Sequence, residues 1–254
     1  MSSADHGKAQ DLSVHESGHA WFATRIGVCA LAWNAQAVWA LQLPEASLLA
    51  TQSRMLGELA TRLQGMPGLH PAQWPQAEHA QQLPVCARHA VAGVQQLLAG
   101  WRVQAGEEDS PGATWPGAAA PQVLGDLRAP YHQGAQGPAP STADAGLPQL
   151  LDIPLDWRGV LEFARSVYAL TRAIAPGQTR TYGELAADLG GERLSRAVGQ
   201  ALGANPFAPV VPCHRVLAAG REPGGFSGGQ GALTKLRMLE LEGAAWGGTR
   251  SLFE

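Results

Sequence analysis

Asn205-Pro206-Phe207-Ala208-Pro209-Val210-Val211-Pro212-Cys213-His214-Arg215 carries more information than any other stretch of this 254-residue chain. Three prolines fall within seven positions of it. Proline fixes its own φ and restricts the residue before it, so the segment predicts a stiff loop that presents Cys213. The adjacent imidazole of His214 can take a thiol proton, and the thiolate is the nucleophilic form of cysteine. Taken alone, Cys213 is better explained as a small buried hydrophobe. Its neighbours decide between the two.

Upstream, Phe163, Val167, Leu170 and Ile174 recur at i, i+4, i+7 and i+11, predicting one apolar helix face. Pro176-Gly177 ends that helix. Thr181-Tyr182-Gly183-Glu184 has the form of a capping box and predicts a short helix through Leu189. Gly190-Gly191 predicts a tight turn, and a second helix follows over Glu192–Leu202. Two short helices across a glycine turn predict a helix-turn-helix. Downstream, a last helix over Leu233–Leu241 stops near Gly243.

The first 18 residues are polar and predict a frayed terminus. Between Ala20 and Leu43 the pattern favours strands, Ile26–Trp33 and Ala37–Leu43, with Asn34-Ala35-Gln36 as a hairpin turn. Leu48, Met55, Leu56, Leu59 and Leu63 then follow helical spacing, and a second helix is expected over Ala87–Leu98. In residues 104–149, 24 of 46 positions are Ala, Gly or Pro, too few large apolar side chains to offset ordering entropy. That segment is expected to be a mobile insertion. Leu150–Leu155 predicts a short strand returning to the first domain.

Hydrophobic residues make up 45% of the chain and the net charge is only −3, which predicts a soluble globular protein. The charge is uneven. Between Arg180 and Arg221 five arginines face three acids, a weak hint of a polyanionic partner. Three scattered cysteines make neither a disulfide framework nor a zinc knuckle and fit a reducing compartment. No signal-peptide core and no apolar run near ~18 residues is present, so a cytoplasmic protein off the membrane is expected.

Six short motifs in order and spacing resemble the O6-alkylguanine-DNA alkyltransferases, or methylated-DNA–protein-cysteine methyltransferases. They are Thr181–Ala186, Ser195–Gly199, Asn205-Pro206, Val211–Val216, Gly225–Gly229 and Lys235–Gly243. The resemblance covers residues 158–244 closely and 20–103 loosely. It implies an α+β fold, with a ribonuclease-H-like sheet-and-helix domain over 19–155 and a helical DNA-binding domain over 156–247. Residues 1–18 and 248–254 would be tails.

By the same resemblance, Cys213 accepts the alkyl group from guanine O6, and from O4-alkylthymine as a second substrate, once per molecule. His214 would relay the thiol proton through water toward Glu242, while Asn205 steadies the loop. Tyr182 would crowd the target phosphate and donate to guanine N3. Arg196 would fill the gap left by the flipped base, with Ala197, Gly199 and Arg215 also at the DNA. Val216, Phe226 and Ser227 would line the alkyl pocket, Phe226 standing where several relatives have tyrosine. No cofactor is implied; some relatives bind a structural zinc through their first domain, but this sequence offers no matching ligand set, so no metal is expected. The partner would be double-stranded DNA bearing alkylated bases, docked through the minor groove, and the protein a monomer.

Two departures stand out: Leu161-Glu162 replaces a proline-containing helix entry, and the insertion over 104–149 is long for the family. Three rival readings also arise. His15-Glu16-Ser17-Gly18-His19 has the H-E-x-x-H form of zinc proteases, which requires a helix holding both histidines on one face. A non-enzymatic relative that binds alkylated DNA and recruits repair factors would lack the acceptor cysteine. A Cys-His hydrolase would need a histidine distant in sequence rather than adjacent.

Overall fold

In the computed structural model, which describes residues 15–64, 74–99, 123–124 and 147–247, side chains alternate between two cores across a four-stranded sheet. Strands β1 (Gly18–Thr24), β2 (Gly27–Trp33) and β3 (Val38–Gln42) are antiparallel neighbours. The period of two sends Phe22, Cys29, Leu31 and Trp33 to one face and Trp21, Ala30, Ala32 and Trp39 to the other. Helix α1 (Leu48–Leu63) covers the second face through Met55, Leu59 and Leu63. Helix α2 (Val85–Leu98) covers the first through Ala87, Val91 and Val94. Each large side chain buried this way is worth about 1.5–3 kcal/mol.

The turn at Asn34 forms as expected, its side-chain oxygen accepting from the Gln36 and Ala37 N–H groups at 3.0 and 2.9 Å. Four expectations are corrected. β1 begins at Gly18, inside the stretch read as a frayed terminus, because Trp21 and Phe22 anchor it on opposite faces. Leu56 is 43% exposed; Thr51 takes the buried turn of α1 instead. Leu150–Leu155 forms no strand but a turn with a single bridge, Leu155 to Val38. There the Arg172 guanidinium donates to the carbonyls of Leu150, Leu151 and Ile153 at 2.8, 2.7 and 3.1 Å, which replaces a ladder.

The fourth lies within the segment expected to be mobile. Val123–Leu124 forms strand β4, parallel to β1 at the sheet edge, with Leu124 buried. This apolar pair has a core to reach. The other residues of 104–146 lie outside the described residues, as does the tail at 248–254.

The remaining chain is mostly helical: α3 (Glu162–Arg172), α4 (Tyr182–Asp188), α5 (Ser195–Gly203) and α6 (Ala232–Leu241). A two-stranded parallel pair, β5 (Arg180–Thr181) with β6 (Val216–Leu217), ties the start of α4 to the segment after Cys213. The buried face of α3 is Val167, Tyr168 and Thr171, whereas Phe163 stays 37% exposed. Counting only apolar types misplaced that face. Tyr168 donates to Ala201 O at 2.8 Å and Thr171 to Val167 O at 2.8 Å, so both hydroxyls are satisfied in the core.

Sheet and helices share one continuous apolar core, running from Leu41 and Leu43 through Phe207, Val210 and Val211 to Met238. The backbone joins there too, as Leu41 donates its N–H to Pro206 O at 2.8 Å. The proline-rich loop is therefore held by the sheet as well as by its own rigidity.

Candidate active site

Asn205 organises that loop. Its amide Nδ2 donates to Val211 O at 2.9 Å, and its Oδ1 accepts from the Phe207 N–H at 3.0 Å. Val211 O also accepts the Cys213 N–H at 2.8 Å, which places Cys213 at the start of a short 3₁₀ turn over Cys213–Arg215. Cys213 is only 7% exposed. Burial pushes its pKa up, while the Asn205 side chain and the Lys235 cation pull the other way by favouring the thiolate.

Behind the thiol lies a buried ionic cluster. His214 Nε2 is 2.8 Å from Glu242 Oε1, and Arg215 grips the same carboxylate with Nε on Oε2 at 2.9 Å and Nη2 on Oε1 at 2.8 Å. A carboxylate can only accept, so His214 Nε2 carries the proton and Nδ1 keeps a lone pair. Among the described residues, that buried Nδ1 has no hydrogen-bond partner. Burial lowers the His214 pKa and leaves the ring neutral, a base with a free acceptor atom. Although burial opposes it, His214 and the Arg215 guanidinium hold Glu242 at about 2.

Two expected placements fail here. Arg215, expected at the DNA, is 1% exposed and also donates to Ile174 O at 2.6 Å; it clamps Glu242. Val216, expected in the alkyl pocket, is fully buried in the apolar core. In both cases the residue follows Cys213 closely, and the 3₁₀ turn rotates it away from the open side.

Lys235 was missed. It is fully buried on α6, donates to Val216 O at 2.6 Å and lies 5.7 Å from the centre of the Tyr182 ring. Burial lowers its pKa to about 8, against the opposing effect of Cys213. The signal was present: Lys235 takes the i position of a face whose i+3 and i+4 are the buried Met238 and Leu239.

A cavity of about 560 Å³ opens over the thiol, lined among others by Tyr182, Arg196, Gly199, Phe226 and Ser227. Tyr182 is set by the Thr181–Glu184 capping box at the head of α4 and reaches Gly225 O at 3.4 Å. Arg196 is exposed near the start of α5, and Ala197 and Gly199 are half-buried beside it. Ser227 donates to Gly203 O at 2.9 Å, tying the glycine-rich loop to the end of α5.

Gly229 pins the other side of that loop. Its φ is +55°, and a Cβ there would lie 2.6 Å from both Pro44 O and Thr234 Oγ1. Gly229→Ala is therefore expected to lower stability by roughly 1–3 kcal/mol in urea denaturation, since neither the conformation nor the space suits a side chain. An unchanged midpoint would show that the loop is free to move off Pro44.

The zinc-protease motif does not form a helix: residues 15–17 are irregular and His19 sits in β1, its Nδ1 3.0 Å from Trp74 O. Among the described residues, no three His, Cys, Asp or Glu side chains converge as a metal site.

Residues 162–244 match the family model described as 6-O-methylguanine DNA methyltransferase, DNA binding domain. The match covers 83 of the 254 residues. A methylated-DNA–protein-cysteine methyltransferase of Mycolicibacterium paratuberculosis is 47% identical over 89 residues, 35% of this chain and 53% of the relative. One from Methanosarcina acetivorans is 42% identical over 100 residues, 39% and 62% of the two chains. A Thermus thermophilus protein named DNA base-flipping protein is 45% identical over 98 residues, 38% and 63% of the two. The matches thus span about half to three-fifths of the relatives' length. In fold, the chain resembles the Mycobacterium tuberculosis OGT crystallised with DNA, with a TM-score of 0.52 at 24% identity over 89% of this chain and 92% of that one. The O6-methylguanine-DNA methyltransferase of Pyrococcus kodakaraensis gives 0.52 at 21% identity, over 89% and 99%. Among the described residues, no helix is long and apolar enough to cross a membrane.

Proposed function

We propose that this protein repairs alkylated DNA by moving the alkyl group of O6-alkylguanine onto Cys213. The observation that supports this best is the unpartnered, buried Nδ1 of His214, the residue after Cys213, with Nε2 locked on the Arg215-clamped Glu242. Nδ1 takes the thiol proton across one water, and Glu242 stabilises the imidazolium that forms. Cys213 Sγ forms a bond to the alkyl carbon as the C–O6 bond breaks. The C–O electron pair leaves with the purine, whose developing charge the Tyr182 hydroxyl meets as a donor to N3. The thioether is a poor leaving group, so each molecule acts once.

In this reading α4 and α5, joined across Gly190-Gly191, are a helix-turn-helix that lies in the minor groove. Ala197 and Gly199 permit its close approach, and Arg196 holds the target base out of the stack. Phe226 and Ser227 wall the alkyl pocket. The sheet with α1 and α2 is the ribonuclease-H-like domain of residues 19–155, and 156–247 the DNA-binding domain. The protein works as a cytoplasmic monomer, with O4-alkylthymine as a second substrate.

One experiment tests this with two substrates. A duplex oligonucleotide carrying one O6-methylguanine should add one methyl mass per protein, on the peptide containing Cys213, and the reaction should stop at one equivalent. Free O6-benzylguanine should also react. Arg196→Ala should slow the duplex reaction by about 10-fold or more and leave the free base nearly unaffected, since only the duplex needs flipping. Binding with no mass change would favour the non-enzymatic recruiting role. Many turnovers per molecule would sink the transfer reading.

A further inference from the structure

We propose that Arg62, on the first helix of the sheet domain, is a positioning residue for Cys213: it fixes Phe207 and thereby the Asn205–Val211 turn that sets the thiol. The inference deepens the proposed function and rests on its reading of Cys213 as the acceptor.

Arg62 sits at the end of α1 and far in sequence from the loop it touches. Its Nη2 donates to Asp156 O and Arg158 O, each at 2.9 Å, and its Nη1 donates to Trp39 O. Three backbone carbonyls from β3 and the segment after Leu155 therefore hold the guanidinium in one orientation. In that orientation its Cζ lies 4.9 Å from the Trp39 ring centre and 5.1 Å from that of Phe207. A cation over an aromatic face is attractive, more so where water is excluded. Burial lowers the Arg62 pKa, consistent with that partial loss of water.

Phe207 passes this constraint on. It is fully buried, edge-on to Trp157 at 5.5 Å and to Tyr168 at 6.4 Å. Its N–H goes to Asn205 Oδ1, and its carbonyl accepts the Val211 N–H at 3.0 Å. Val211 O then accepts both Asn205 Nδ2 and the Cys213 N–H. Two hydrogen bonds thus separate the Phe207 backbone from that of Cys213. The charged and titratable groups facing the thiol are Lys235 from α6, Tyr182 from α4 and Tyr168 from α3, with His214 and Glu242 behind it. Arg62 acts through geometry, by way of Phe207.

A geometric role predicts opposite changes in two reactions of the same sulfur. Loosening the loop should admit a small electrophile more readily and misalign the thiol for alkyl transfer. The test compares wild type, Arg62→Met and Arg62→Lys by the rate of Cys213 carbamidomethylation with iodoacetamide and by the single-turnover rate with O6-benzylguanine. Cys29, fully buried in the sheet core, reports global unfolding in the same digest. For Arg62→Met, Cys213 labelling should rise about fivefold with Cys29 still protected, and transfer should fall about tenfold or more. Arg62→Lys keeps the charge but not the three-carbonyl fork, and should show at least a twofold change in both rates, in the same opposite directions.

Unchanged rates in the variants would overturn the proposal, as would a lysine that reproduces wild type on both. Labelling of Cys29 and Cys213 that rises together in both variants would assign Arg62 to the fold and overturn it as well. Wild-type protein that never reacts with O6-benzylguanine would defeat the transfer reading instead, while the iodoacetamide rates would still report the coupling.

Discussion

Cys213→Ser should abolish alkyl transfer, with no methyl found on the peptide spanning position 213, while duplex binding changes less than about threefold. Displacement at an alkyl carbon needs a strong nucleophile, and a serine hydroxyl stays protonated beside a base as weak as a neutral imidazole. Nothing else in the site is positioned to substitute. Cys29 is fully buried on the sheet, with burial pushing its thiol up to about 12, and Cys86 is half-buried with its own pKa raised. Binding should survive because the loss is one sulfur-for-oxygen exchange beneath the pocket, and no DNA contact proposed here uses it. Mass spectrometry after a long incubation with excess O6-methylguanine duplex checks the first half, and fluorescence anisotropy the second. Methyl recovered on Cys29 or Cys86 would overturn the assignment of the acceptor.

Glu242→Gln should be the most damaging substitution that leaves the thiol in place. It removes the negative charge between two cations, His214 when protonated and Arg215 always, in a site where Glu242 and Arg215 are only 2% and 1% exposed. A guanidinium left buried without its partner is worth about 3–5 kcal/mol of lost stability. Transfer should fall by roughly 10²–10⁴-fold, because the imidazolium that receives the thiol proton is no longer stabilised.

The pH dependence of folding adds a signature. Glu242 is held below its ordinary value of 4.5, at about 2, so its contribution is complete above 4.5 and is lost as pH falls from 4.5 toward 2. His214 is held neutral, so below 6.5 the unfolded chain takes up a proton that the folded chain refuses, and stability declines as pH falls. Lys235 works in the alkaline range. Its folded pKa of about 8 against an ordinary 10.5 means that stability gains as pH rises across that window. Urea midpoints of wild type should therefore fall below pH 6.5 and again below 4.5. The second step should shrink in Glu242→Gln; an unchanged step would mean that other carboxylates carry the acid sensitivity.

What the sequence disclosed follows from which interactions are local. The Thr181–Glu184 capping box, the glycine turn at 190–191 and the Asn34 turn are all settled within four residues, and each forms where the pattern places it. The sheet was less legible. Gly18-His19 looks polar, yet β1 needs only Trp21 and Phe22 on alternate faces to be held. Side-chain direction was the weakest inference. Arg215 and Val216 adjoin a reactive cysteine in sequence, but the turn sends one to Glu242 and the other into the core. Arg62 was invisible for a different reason. Its partners are backbone carbonyls distant in the chain, and no spacing rule reports a carbonyl.

The near-complete burial of Cys213 has a bearing on how long the protein lasts idle. A nucleophile spent in one event must survive the wait for its lesion, among oxidants and electrophiles that would consume an open thiolate. Its raised pKa keeps most of the sulfur protonated between encounters, and a cavity bordered by Tyr182, Arg196 and Phe226 gives an approach to it. In the proposed reaction, full nucleophilicity arises only when a base is seated there and His214 takes the proton. The same burial that slows the thiol in isolation sets its working lifetime.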